Sequence, residues 1–216
     1  MRRGMMASAL LLMGLCSSVY AQEYRFTYSK LYPPLKHNLD AEHSDVKVGL
    51  FFTNFATKQP CAIDKAWMEK EQHFENLSIS DNGEVNIPLD SNLRSANPLL
   101  YVHTQQDARC DYSLVVLTKN PLQGTVDYAE IEQVTEQMTT MLGQLGGMFS
   151  SWFAPDVIGV TLEFKGNQVS HIPLSDGRFI SVNKQGKALL KLSDLSQGVT
   201  AQLDVPTQRV MPYIQK

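Results

Sequence analysis

Beyond its first 21 residues, the chain has no apolar run approaching the ~20 residues that a membrane-crossing helix needs. Cysteine is scarce, three in 216 residues, and no two are spaced as CxxC, so the usual thiol redox and zinc motifs are missing. There is no GxSxG turn for a serine nucleophile and no glycine-rich loop between a strand and a helix start to cradle a phosphate. Positive charge is locally absent too. No Lys or Arg lies between Lys119 and Lys165, while Asp127, Glu130, Glu132, Glu136, Asp156 and Glu163 fall in that interval. Such a surface repels polyanions, and nucleic acid is excluded as a partner of that segment.

What is present begins with an export signal. Arg2 and Arg3 form a positive start, Met5 to Leu15 an apolar stretch, and Val19, Tyr20 and Ala21 a small-residue cleavage site, so cleavage is expected between Ala21 and Gln22. The apolar stretch is too short for a lasting transmembrane anchor. Leu15 precedes Cys16 where a lipidation signal requires a small residue, so the segment reads as cleaved, not lipidated. Loss of both arginines leaves 17 basic against 22 acidic residues, a net charge of −5. The expected destination is the periplasm.

Only Cys61 and Cys110 remain after cleavage, an even count in an oxidising compartment, and a Cys61–Cys110 disulfide is expected.

Alternation of apolar and polar residues marks strands at Glu23–Lys30, Asp45–Phe52, Ala62–Met68, Glu84–Leu89, Leu99–Thr104 and Tyr112–Thr118. The last two read as a hairpin with Cys110 in its loop. From Ile131 the period changes. Ile131, Val134, Met138, Met141, Leu145, Met148, Phe149 and Trp152 recur every three or four positions, as on an amphipathic helix with one buried stripe. Asp127 with Glu130 supplies a capping start, Pro155 a stop, and Gly146-Gly147 a weak point near the end. Strand periodicity then returns at Val157–Phe164, Gln168–Leu174, Arg178–Asn183, Lys187–Leu192 and Thr200–Val205, with a tight turn at Asp176-Gly177.

The chain therefore reads as mainly β with one central amphipathic helix, an α+β arrangement. A β-sandwich-like N-terminal unit (22–119) leads into a linker and helix (120–155), then a smaller C-terminal β unit (156–216). The segments Glu84–Leu89 and Gln168–Leu174 resemble one another if one residue is inserted, as a duplicated β unit or chance similarity would both produce. The last sixty or so residues have no disulfide and are of marginal size alone, so they are expected to lean on the helix or the first unit.

Ligand-type side chains cluster at His37, Asp40, Glu42, His43 and Asp45, but their spacing matches no metal motif and suits a solvated loop. His73, His103 and His171 read as packed or surface histidines. A hydrolase would require one of them to meet an acid in a pocket. The helix residues Met138, Met141, Leu145, Met148, Phe149 and Trp152 could form a partner- or ligand-binding surface, since Met and aromatic residues make adaptable contacts. Their regular spacing equally suits a core helix. A carrier of an apolar ligand would place Met138, Met141, Met148 or Trp152 along a cavity.

The segments EYRFTYSKLY (23–32), DVKVGLFF (45–52), AWMEK (66–70), IPLDSNLRSANP (87–98) and LGGMFSSWF (145–153) together resemble an uncharacterised family of exported Gram-negative proteins, domain of unknown function 2987. The resemblance spans nearly the whole mature chain. It implies export and a shared architecture, but no activity, ligand or site residue. The expectation is an exported, non-catalytic envelope binding or accessory protein with no cofactor and an unknown envelope partner. A hydrolase with an unrecognised site and a carrier or chaperone of an apolar ligand are the alternatives.

Overall fold

The computed structural model describes residues 22–105, 109–146, 156–166 and 168–214. Ala21 and the signal segment, and Gly147, Met148, Phe149, Trp152 and Pro155, lie outside the described residues. The fold is mainly β with several sheets around a central helix, the α+β class expected from the sequence.

Strand β1, Gln22–Thr27, ends sooner than its alternation suggests. Tyr28 belongs both to the strand-like series Tyr24, Phe26, Tyr28 and to the helical series Tyr28, Leu31, Leu35. The second wins, and helix α1, Tyr28–Leu35, buries those three residues. Pro33 and Pro34 sit in its last turn, where the freed carbonyls of Ser29 and Lys30 belong to exposed residues that water can satisfy. Tyr28 is fully buried, and its hydroxyl donates to the Pro88 carbonyl at 2.8 Å while accepting from the Asp90 amide at 3.0 Å. Helix α1 is thereby fixed to the chain entering helix α2, Ser91–Ala96, whose N-terminus is capped by the Asp90 carboxylate.

Strands β2 (Val46–Asn54), β3 (Ile63–Lys70), β4 (His73–Asn76), β5 (Leu99–Thr104) and β6 (Cys110–Thr118) complete the first half. Four form an antiparallel sheet in the order β1-β5-β3-β4, while β2 and β6 pair separately from Val46 opposite Thr118 to Asn54 opposite Cys110. The expected β5–β6 hairpin is not formed. Both edges of β5 are taken, by β1 and by β3, so the chain leaves the sheet and β6 joins β2 instead. Cys110 is the first residue of β6, not a loop residue. Phe52 lies 4.8 Å from the Tyr24 ring and 6.4 Å from the Phe26 ring, packing the β2–β6 ribbon on the inner face of the four-stranded sheet.

The stretch Glu84–Leu89 also departs from expectation. Only Val85 makes bridges, to Leu50 and Ile79, because its neighbours turn elsewhere: Glu84 to Lys47 at 2.7 Å and Asn86 to Ser78 and Ser80. Its counterpart Gln168–Leu174 does include a short strand, β9, His171–Pro173, which pairs with β10, Phe179–Ser181, across the Asp176-Gly177 turn.

Strand β7, Gly124–Val126, precedes helix α3, Tyr128–Leu145. The Glu130 amide donates to Asp127 Oδ1 at 2.9 Å, the cap read from the sequence. Ile131, Val134, Thr135, Met138 and Met141 form the buried stripe, and the helix closes at Gly146. Strand β8, Val157–Glu163, is the middle of a second sheet, between β11 (Lys187–Lys191) and β13 (Arg209–Ile214), and helix α3 packs against it. A Cβ on Gly159 would meet the Leu190 carbonyl oxygen at 2.3 Å, so this middle strand accepts no side chain there. A 3-10 segment, Leu192–Gly198, leads to β12, Ala201–Leu203, which pairs with β7. Strand β13 lies against β6. One hydrophobic cluster runs from Phe26 and Val46 through Met138 and Met141 to Leu190 and Val210, shared by all three sequence segments.

Candidate functional site

Cys61 and Cys110 are joined in a disulfide, their Cα atoms 6.4 Å apart and 49 positions apart in sequence. It fastens the approach to β3 onto the end of the β2–β6 ribbon. Met138 and Met141 are fully buried in the core and Leu145 packs at its margin. The cavities found among the described residues are lined by other side chains.

The ligand-type cluster before β2 is dispersed. His37 meets Asp40 at 3.2 Å on the surface, whereas His43 is fully buried, with Nε2 2.8 Å from Gln144 Oε1. Asp45 Oδ2 accepts from Gln133, Gln137 and Ser44, and its own amide donates to Gln137. The Gln137 contact, then Ser44 and Gln133, hold the Asp45 carboxyl below its ordinary value. Glu130 lines the same small cleft and is pushed upward, first by burial and then by Asp127 and Asp45. Opposite shifts suit acid–base pairs. Here, however, Asp45 spends its charge tying the loop before β2 to helix α3.

Among His73, His103 and His171, His103 meets an acid. Its Nε2 lies 2.8 Å from Glu23 Oε2 on the outer face of the four-stranded sheet, with Trp67 as its ring neighbour at 4.8 Å. His171 contacts Ser170 Oγ at 3.0 Å, on an exposed ribbon.

An apolar groove lies at the other end of that sheet. Strands β3 and β4 form a hairpin that projects past the core, closed by Glu71, in the left-handed region at φ 55°, and Gln72. Helix α2 passes beneath it. The Lys70 ammonium donates to the Ala96 carbonyl at the end of α2, propping the two apart. Between them is an open groove of about 440 Å³. Met68, Leu93, Ala96 and Pro98 supply apolar surface, with Glu69, Glu71, His73 and Glu75 around it. A cavity of this size and lining falls within the range of ligand sites.

Strand β4 borders the groove and is an edge of the sheet, with all four residues exposed. The hairpin register pairs Lys70 with His73 and Met68 with Glu75, and the Leu77 amide donates to the Ala66 carbonyl at 2.9 Å. By antiparallel alternation, His73 and Glu75 bond inward to β3, while the amides and carbonyls of Phe74 and Asn76 point out from the sheet. On the outer face, Tyr101, Trp67 and Phe74 stand side by side across three strands, with ring centroids 4.9 and 6.1 Å apart. Lys65 Nζ lies 4.8 Å from the Trp67 ring and 5.0 Å from Phe74. This ladder stiffens the hairpin from above.

Sequence reasoning passed over the groove because its residues come from two strands and a six-residue helix without helical periodicity.

Residues 20–164 match the family described as "Protein of unknown function (DUF2987)", a span that includes the groove, the disulfide and helix α3. The chain belongs to this family. No curated protein and no solved structure matches the chain. Strands β9 to β13 follow the matched span, so the family region ends inside the second sheet, just after β8.

Proposed function

We propose that the chain is an exported, non-catalytic binding protein of the bacterial envelope that uses the groove beneath the β3–β4 hairpin. The residues before Gln22 have the pattern of a cleavable export signal, and the Cys61–Cys110 disulfide suits an oxidising compartment. Among the described residues no helix is long and apolar enough to cross a membrane. The groove itself carries the reading, as an apolar, open cavity of about 440 Å³ beside an exposed sheet edge. A hydrolase would require His73 to meet an acid in the groove, and among the described residues this exposed histidine has no hydrogen bond to the carboxylates beside it.

Two measurements test this. Mass spectrometry of protein released by osmotic shock should give a chain beginning at Gln22. Immobilised mature protein should retain components of a detergent-solubilised envelope extract that Leu93→Asp, at the groove wall, fails to retain. Identical retention by both forms would remove the groove from the function. A full-length, unprocessed chain found only in the cytosol would remove the export.

A further inference from the structure

Resting on that reading of the groove, we infer that its occupant is an extended, basic peptide segment that adds to β4 as a fifth strand and drops an apolar side chain beside Leu93. Three independent observations meet here. The first is the backbone of the edge. Phe74 and Asn76 present two amides and two carbonyls outward, the template that strand addition uses for affinity. The second is the position of the cavity. The groove lies under the inner face of the hairpin, the face carrying Met68, Lys70, His73 and Glu75. Alternate side chains of an added strand point to that same face, so every second residue hangs over Leu93 and Pro98.

The third observation is charge. Glu71 and Glu75 flank the site and Glu69 lies at its rim, its carboxylate accepting from Trp67 Nε1 at 3.2 Å, and none of the three has an ion-pair partner among the described residues. The nearby cations reach other groups, Lys70 the Ala96 carbonyl, Lys65 the Trp67 and Phe74 rings, and Arg94 the Tyr32 ring at 5.3 Å, so none of them pairs with these carboxylates. A peptide alternating basic and apolar residues gives the unpaired carboxylates ion-pair partners and the groove an apolar side chain. A second copy pairing β4 with itself brings no lysine or arginine to these carboxylates, because His73–Asn76 contains none.

The test uses the full mature protein and labelled eight-residue peptides read by fluorescence anisotropy. A peptide alternating lysine and valine is expected to bind with a Kd of about 1–100 µM. The glutamate–valine peptide, and the lysine–valine peptide N-methylated on alternate amides, should each bind at least about tenfold more weakly, a loss of about 1.4 kcal/mol or more. Asn76→Pro removes one outward amide at a sheet edge where proline is tolerated, and should weaken binding with little change in Tm. Glu71→Lys with Glu75→Lys should reverse the charge preference, which loss of fold cannot do.

Equal affinity for the methylated and unmethylated peptides would overturn strand addition, as would no binding by any peptide. So would a concentration-dependent dimer that Asn76→Pro dissolves, since the edge would then serve a second copy. If the peptides fail while Leu93→Asp still loses envelope components, the groove keeps its role and only the occupant is wrong. If both fail, both proposals fall.

Discussion

Arg209 lies in a strand yet is nearly fully buried, and it is tolerated only because Glu163 stands opposite it in the β8–β13 register. Arg209 Nε and Nη2 both reach Glu163 Oε2, at 2.8 and 2.7 Å, and the guanidinium lies 5.2 Å from the Phe51 ring. Removing Glu163 leaves the buried Arg209 charge without its carboxylate. Glu163→Ala should therefore cost about 3–5 kcal/mol in urea unfolding, whereas Glu163→Leu combined with Arg209→Met should cost much less. A double variant as unstable as the single one would show that the pair is not coupled.

Asp45 gives the residue scale its pH dependence. Its folded value lies below its ordinary one, because Gln137, Ser44 and Gln133 donate to the ionised form. The stability it adds is present above the unfolded carboxylate value of about 3.9 and is lost as pH falls through the lower folded value. Glu130 works oppositely, since its raised value means that ionising it opposes folding as pH rises. Asp45→Ala should cost about 1–2 kcal/mol at neutral pH, discounted for partial exposure, and should flatten the acid limb of the stability curve. Glu130→Gln should stabilise at neutral pH, with the gain vanishing in acid. Urea midpoints measured from neutral pH to about pH 3 would show both.

At the scale of the element, helix α3 is a core helix over its described length. Met138 and Met141 are fully buried between β8 and the β2–β6 ribbon. Met138→Ala should destabilise by about 2–5 kcal/mol, through lost burial and the cavity left behind, without altering peptide binding at the distant hairpin. A variant of native stability would mean that the methionine contributes no packing. The β3–β4 hairpin has the opposite character. Ala66 and Met68 of β3 belong to the core, whereas all four residues of β4 are exposed, so β4 is where sequence can change with least cost to the core.

Across the whole molecule, the disulfide cross-links the start of the ribbon strand β6 to the approach to β3 of the four-stranded sheet, beyond the connections of the chain itself. It closes a loop spanning 49 positions, and Cys61→Ser with Cys110→Ser should lose about 4 kcal/mol in the chain-entropy treatment. Differential scanning calorimetry with and without reductant checks this. An unchanged Tm after complete reduction would show that the sheet and ribbon hold without it.

Helix α3, the Asp127 cap and most strands could be read directly, because a 3.6- or 2-residue period with a capping side chain is a local signal. The Cys61–Cys110 pairing was equally legible, since two cysteines leave one partner each. What the periods did not reveal was pairing. Whether Tyr28 ends a strand or starts a helix, whether β6 joins β5 or β2, and whether Arg209 sits inside a sheet depend on neighbours far along the chain. The groove belongs to this second kind. Met68, Glu75 and Leu93 carry no common pattern, and only the register of β3 with β4, above a helix propped by Lys70, brings them to one cavity. Periodicity determines which face of each element seeks burial. Long-range packing decides which of those faces meet, and which edge is left open.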